Sequence, residues 1–120
     1  MPDGREYEER AARWLLARGW QILCRNFLCR AGELDLVALD GSCLVFVEVR
    51  ARSHPGYGGA AASVDRRKQR KLQRAAAVFL RRHPHYARLA CRFDVIAWEP
   101  RQFAPDAAPR WIRNAFGSQP

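Results

Sequence analysis

Residues 33 to 51, ELDLVALDGSCLVFVEVRA, form two runs of strand-like character around Asp40-Gly41. An Asp-Gly dipeptide suits the positive φ angles of a tight hairpin, so the stretch predicts two antiparallel strands. Side chains alternate along a strand, which sets Glu33, Asp35, Val37 and Leu39 on one face and Leu34, Leu36 and Ala38 on the other. In the second run Leu44, Phe46, Glu48 and Arg50 share a face, opposed by Val45, Val47 and Val49. Matching the valine face to the leucine face restricts the register, because a one-residue slip would mix the two sets. A two-residue Asp40-Gly41 turn sets Glu33 opposite Glu48 and Asp35 opposite Phe46, whereas a four-residue loop pairs Asp35 directly with Glu48. Both registers make Asp35 and Glu48 direct or diagonal neighbours, with Cβ atoms roughly 5 to 8 Å apart. Carboxylates that close repel, and a sheet tolerates them when a cation sits between them, either Arg50 or a divalent metal bound by hard oxygen ligands.

The remaining chain supplies partners for that hairpin. Residues 5 to 18, REYEERAARWLLAR, place Tyr7, Ala11, Trp14 and Leu15 at helical spacing, and Gly19 stops the run as a C-terminal cap would. Taking about 100° per residue, the apolar arc of this helix also contains Glu8, while Glu6 and Glu9 fall outside it. Glu8 is thus the acid of this helix expected to face the sheet, where it needs a partner. WQILC reads as a short strand, followed by a turn-prone RNFLCRAG. SHPGYGGAAAS is expected to be a loop, after which Ser63 or Asp65 caps a long second helix that Pro84 ends. CRFDVIAW is a further strand, and WIRNAF an edge strand or short turn. The order α, β, β, β, α, β, with a last β in prospect, describes one α/β domain over residues 1 to 120, with 113 to 120 expected to fray.

Charge narrows the partner. Lysine and arginine total 21 against 12 acids, a formal +9, and all but two of the cations, Lys68 and Lys71, are arginine. Such an excess points to a polyanion, and the planar guanidinium fork suits phosphate oxygens. Arg66, Arg67, Lys68, Arg70 and Lys71 at the start of the second helix, with Arg52 before it, are placed to hold flanking phosphates; a solvated charged face is the bland alternative. Tyr57 in the Gly-rich loop could stack on a base. The N-terminus lacks an apolar signal core and no run approaches the roughly 18 apolar residues of a membrane span, so the expectation is a cytoplasmic protein with no membrane partner. Cys24, Cys29, Cys43 and Cys91 fit neither zinc knuckles nor a disulfide framework and are expected to be reduced, buried thiols.

For the acids two readings stand side by side. One is a half-solvated sheet face bearing surface charges and one helix-edge glutamate. The other is a metal site built from Asp35 and Glu48, with Glu8 or Glu33 beside them and Arg50 stabilising negative charge on a phosphate.

The hairpin GELDLVALDGSCLVFVEVRAR resembles the core of PD-(D/E)XK nucleases, with Asp35, a twelve-residue gap, and Glu48-Val49-Arg50 in the E-x-K position. More narrowly, GREYEERAARWL, GELDLV, FVEVRAR, YGGAAASV with Lys68, RFDV and WIRNAF resemble the YraN-like family of small bacterial proteins, related to archaeal Holliday junction resolvases. The resemblance implies a restriction-endonuclease-like fold, a mixed sheet whose core hairpin is flanked by two main helices. It further implies Asp35 and Glu48 as ligands of Mg²⁺ or Mn²⁺, the Val49 carbonyl as a third, and Glu8 as the helix-one glutamate of the resolvase branch. The implied activity is metal-dependent cleavage of DNA, at branched or damaged structures, by a protein that works as a homodimer. Arg50 departs from the usual lysine, and a guanidinium does not deprotonate in proteins. That departure keeps a second expectation open, a nucleic-acid-binding or adaptor module that retains the fold without the chemistry.

Overall fold

The structure is a computed structural model that describes residues 4–51, 63–99 and 107–117. Helix α1 spans Gly4–Ala17 and is followed by strands β1 (Gln21–Cys29), β2 (Gly32–Asp40) and β3 (Cys43–Ala51). Helix α2 (Arg66–Arg82) and a 3₁₀ turn (Pro84–Tyr86) lead to β4 (Ala90–Trp98) and β5 (Arg110–Phe116). The five strands form one sheet in sequential order, antiparallel except for the β3–β4 pair. A parallel pair needs a crossover, and α2 lies on it. The result is the expected mixed α/β domain, a core hairpin between two helices.

Each helix covers one face of the sheet. Tyr7, Ala11, Ala12 and Leu15 of α1 bury against Leu36, Ala38, Val45, Val47, Val49, Ile96 and Trp98. Leu72, Ala75, Ala76 and Phe79 of α2 bury against Leu34, Val37, Leu44, Phe46, Phe93 and Val95. Large side chains so buried contribute roughly 1.5 to 3 kcal/mol each, and with both faces covered the central strands carry few exposed positions. Phe46, expected on an exposed working face with Glu48 and Arg50, is therefore core, 6.0 Å from the ring of Phe79. The helix ends follow local rules. Gly19 takes φ 85 after α1 while the Trp20 N–H donates to the Leu15 carbonyl, and the Asp65 carboxylate caps α2 by accepting the Lys68 N–H at 2.9 Å.

Two sequence expectations change, and one open choice closes. RNFLCRAG is not a turn; most of it continues β1, which leaves its regular register between Ile22 and Cys24 and passes through Asn26 at φ 54. Asparagine tolerates that left-handed conformation, and its turn propensity here marks a kink within a strand. At the hairpin, Leu39–Leu44 and Asp40–Cys43 pair, leaving only Gly41 (φ 58) and Ser42 outside the ladder. The register is that of the four-residue-loop alternative, drawn one pair tighter. Fraying does not begin at residue 113: β5 continues to Phe116, whose ring stacks on Phe93 at 4.6 Å.

A buried acid holds the far side of the sheet. Asp94 is fully buried, and its carboxylate accepts from Arg92 Nε (3.0 Å), Trp111 Nε1 (3.0 Å) and the Asn114 N–H (3.0 Å). Arg92 also reaches Asp40 at 3.1 Å, tying β4 to the hairpin end. Where β5 slips register opposite Phe93 and Val95, Asn114 takes φ 51, and Asp94 satisfies its N–H. Replacing one member of such a buried, paired network strands the others. Asp94→Ala is expected to lose about 3 to 5 kcal/mol in denaturant unfolding, and Asp94→Asn, which keeps an acceptor, clearly less. A loss under about 1 kcal/mol for the alanine variant would contradict this role.

Candidate functional site

One end of the hairpin, away from its turn, opens into a cavity of about 330 Å³. Strand β2 brings Glu33 and Asp35 to it, β3 brings Glu48, Val49, Arg50 and Ala51, α1 brings Gly4, Tyr7 and Glu8, and α2 brings Lys68. Every carboxylate singled out in the sequence therefore lines the same cavity, together with Val49 and Arg50. The bland reading placed these acids on a half-solvated face; instead Asp35 and Glu48 are 9% and 4% exposed.

Local strand geometry explains how Asp35 gets there. Regular alternation would keep Leu34 and Leu36 on one face, yet Leu34 packs under α2 and Leu36 under α1. The strand thus turns over at Asp35. Its neighbour across β1 is the positive-φ Asn26, which is missing from the ladder between the Arg25–Leu36 and Phe27–Leu34 pairs. On the other side the β2–β3 ladder stops at Leu36–Val47, and Asp35 Oδ2 instead accepts the Val49 N–H at 2.9 Å. A side chain takes the place of a backbone acceptor, fixing the carboxylate beside Glu48.

Glu48 is the strained member. Its Oε2 faces Arg50 Nη2 at 3.3 Å and Lys68 Nζ at 3.6 Å, while its Oε1 is buried with no hydrogen-bond donor among the described residues. Burial pushes its pKa up, the charge of Asp35 pushes it further, and the two cations offset only part of this, leaving it at about 8. Arg50 Nε is likewise buried and unbonded. An acceptor-only oxygen away from water must take a proton or a cation.

The residues present fit a divalent ion of the hard, oxygen-seeking kind. Among the described residues no three His, Cys, Asp or Glu side chains converge into a ready cage. Asp35 and Glu48 with main-chain oxygen and water are nonetheless a sufficient set for Mg²⁺ or Mn²⁺, which commonly use one or two carboxylates and keep several waters. Val49 is placed among them, Glu8 stands half-buried on the helix side, and Glu33 lies exposed at the rim.

The cations sort differently from the sequence reading. Lys68 belongs to the cavity, not to a flanking track. Arg66, Arg67, Arg70 and Lys71 are exposed on α2 and do not line the cavity; Arg52 and Tyr57 lie outside the described residues. The place of Lys68 was open to inference, since it falls four and seven residues before Leu72 and Ala75 and so on the apolar stripe of α2. Tyr7 was assigned to the core alone. Its ring packs on Trp98 at 5.2 Å, and it also reaches the cavity wall.

A family model described as "Uncharacterised protein family UPF0102" matches residues 7–98, which include all the described cavity residues except Gly4. The chain is similar to the UPF0102 protein of Alcanivorax borkumensis, 53% identical over 116 residues that cover 97% of this chain and 92% of the relative. Similar proteins from Halorhodospira halophila (53% identity; 94% of this chain, 85% of the relative) and Alkalilimnicola ehrlichii (50%; 97% and 87%) carry the same family name.

The raised pKa of Glu48 sets a pH signature. Below its ordinary value near 4.5 the carboxyl is protonated folded and unfolded alike, and no stability is lost. As pH rises towards about 8 the unfolded chain ionises while the folded chain holds the proton, so this group lowers stability progressively across that window. Glu48→Gln is therefore expected to raise the unfolding free energy at pH 8 in EDTA, by on the order of a few kcal/mol at most, and the thermal midpoint with it, the gain vanishing near pH 4. A glutamine variant less stable than the wild type at pH 8 would refute this account.

Proposed function

The chain belongs to the uncharacterised protein family UPF0102, the YraN-like family its motifs resemble, and we propose that it is a divalent-metal-dependent nuclease acting on DNA phosphodiester bonds. The observation that carries this reading is the buried, donorless Glu48 oxygen beside Asp35 in an open cavity walled by cations. An isolated structural carboxylate of that kind would be a liability, and a site that binds a cation gives it a purpose.

Each residue has a physical task. Asp35, held through Oδ2 by the Val49 N–H, and Glu48 would hold the ion, with Val49 main-chain oxygen and Glu8 beside them. A bound Mg²⁺ or Mn²⁺ would supply Lewis acidity towards a phosphoryl oxygen and lower the pKa of a coordinated water. The Arg50 guanidinium would stabilise charge developing on the phosphate, a task that suits its planar fork of donors. Lys68 reaches into the same space from the first turn of α2 and adds a second cation on a flexible stem. With an ion held by Asp35 and Glu48, Arg50 and Lys68, which here face Glu48 Oε2, would be the cations available to a phosphate.

A second reading rests on Arg50 itself. With a guanidinium where the nuclease pattern has an amine, the cavity fits a module that binds DNA and leaves it intact. One experiment separates the two. Supercoiled and branched DNA are incubated with Mg²⁺ or Mn²⁺ and the wild type, Asp35→Ala or Glu48→Ala. The nuclease reading expects wild-type cleavage that EDTA abolishes and that falls at least about 10²-fold in each variant, the scale of losing charge stabilisation at a reacting centre. Cleavage surviving both substitutions defeats the metal site, and no wild-type cleavage on any DNA favours the binding module.

A further inference from the structure

The cations of α2 are segregated by side. At about 100° per residue, Arg67, Lys71, Arg74 and Arg82 fall within a stripe roughly 80° wide on one flank, and Arg66, Arg70 and Arg81 continue it over the outer face. The opposite flank carries Gln69 and Gln73, the latter bonded to the Gly117 carbonyl at 2.7 Å on the β5 side. No acid occurs in α2, and among the described residues none of the cations on its flank and outer face forms an ion pair. Cations at the start of a helix oppose its dipole and repel one another at three- and four-residue spacing. Such an arrangement works against the helix unless anions lie along it.

This flank leads into the cavity. A Cβ built on Gly32 would lie 4.0 Å from the Lys71 Cβ, and the next residue, Glu33, lines the cavity wall. Arg30, exposed in the turn just before, stands at the same junction. At the other end Arg82 lies over the Phe27 ring at 5.4 Å. The track along the 17 residues of α2 is about 25 Å long, close to seven base pairs of one strand of a duplex.

Among the described residues, the aromatic side chains beside α2 favour a duplex over a single strand. A single-strand groove offers open rings on which bases stack. Here the rings at the end of the track are already engaged with one another: Phe27 with Phe79 at 5.2 Å, and His83 with Phe79 at 4.2 Å. The stripe between is made of guanidinium, ammonium and aliphatic groups alone.

We propose that the flank formed by Arg67, Lys71, Arg74 and Arg82, with Arg30, is a sequence-independent track for about seven base pairs of duplex DNA leading into the cavity. The proposal takes from the nuclease reading only the choice of DNA and is tested without catalysis. Binding of a fluorescent duplex, and of each of its separated strands, is measured by anisotropy in EDTA over a range of salt. The wild type is expected to bind the duplex about tenfold or more tighter than either strand. Lys71→Glu and Arg74→Glu each weaken duplex binding about tenfold and flatten the dependence of log Kd on log salt by about 1. Arg13→Glu, the same charge reversal on exposed α1 across the sheet, changes Kd by less than about threefold. Both α2 reversals relieve like-charge repulsion, so their thermal midpoints should not fall. Strands that bind as tightly as the duplex, or an Arg13→Glu effect equal to that of Arg74→Glu, overturn the track. Absence of cleavage in the preceding experiment with duplex binding as described here would defeat only the nuclease.

Discussion

Glu48 places a buried carboxyl oxygen where no donor among the described residues reaches it, and the surrounding structure is arranged around that deficit. The position lies in the central hairpin, which packs under α1 on one face and α2 on the other, so moving it to solvent would uncover the core. Arg50 and Lys68 approach one oxygen from two directions without offsetting the burial and the neighbouring Asp35. Under the metal-site reading proposed above, a site that stabilises its own acids poorly would retain affinity for a cation from outside, and stability and binding would oppose each other at this residue.

The sheet accommodates the acids by a device used twice. At Asp35 and at Asp94 the regular ladder is interrupted, and the carboxylate accepts a backbone N–H: that of Val49 in the first case and of Asn114 in the second. Each break has an asparagine at positive φ on the adjacent edge strand, Asn26 and Asn114. The outcomes differ because the partners differ. Asp94 has Arg92, Trp111 and Asn114 in a closed network and knits β4 to β5. Asp35 meets a second acid and an open cavity, where the same backbone bond anchors a carboxylate at the cavity wall.

What was legible in the sequence depended on period. Alternation in the hairpin and the 3.6-residue spacing of the helices were enough to predict the α, β, β, β, α, β order and to bring Glu8, Asp35 and Glu48 together. The same period misled at Leu34, which crosses to the other face because Asn26 kinks the neighbouring strand, a non-local event that an ideal pleat does not contain. The turn residues of RNFLCRAG were read as ending a strand when they bend one. Asp94 looked like another strand residue; its four-atom network depends on Trp111 and Asn114, about twenty residues further on. Lys68 was visible as a charge on an apolar stripe, and its destination became clear only with the hairpin beneath it.

The distribution of lysine and arginine bears on what the cavity can do. The chain has two lysines, and one of them, Lys68, reaches the cavity, whereas the strand position next to the acids holds Arg50. A guanidinium offers planar, permanent charge and loses no proton, so it suits a phosphate that must be held while charge develops on it. An ammonium is a compact charge on a flexible stem, and from the start of α2 it can follow a ligand that alters the charge on Glu48. Strand and helix thus present different cations to the same carboxylate: one rigid with the sheet, the other tied through the N-terminal turn of α2 to the basic flank outside.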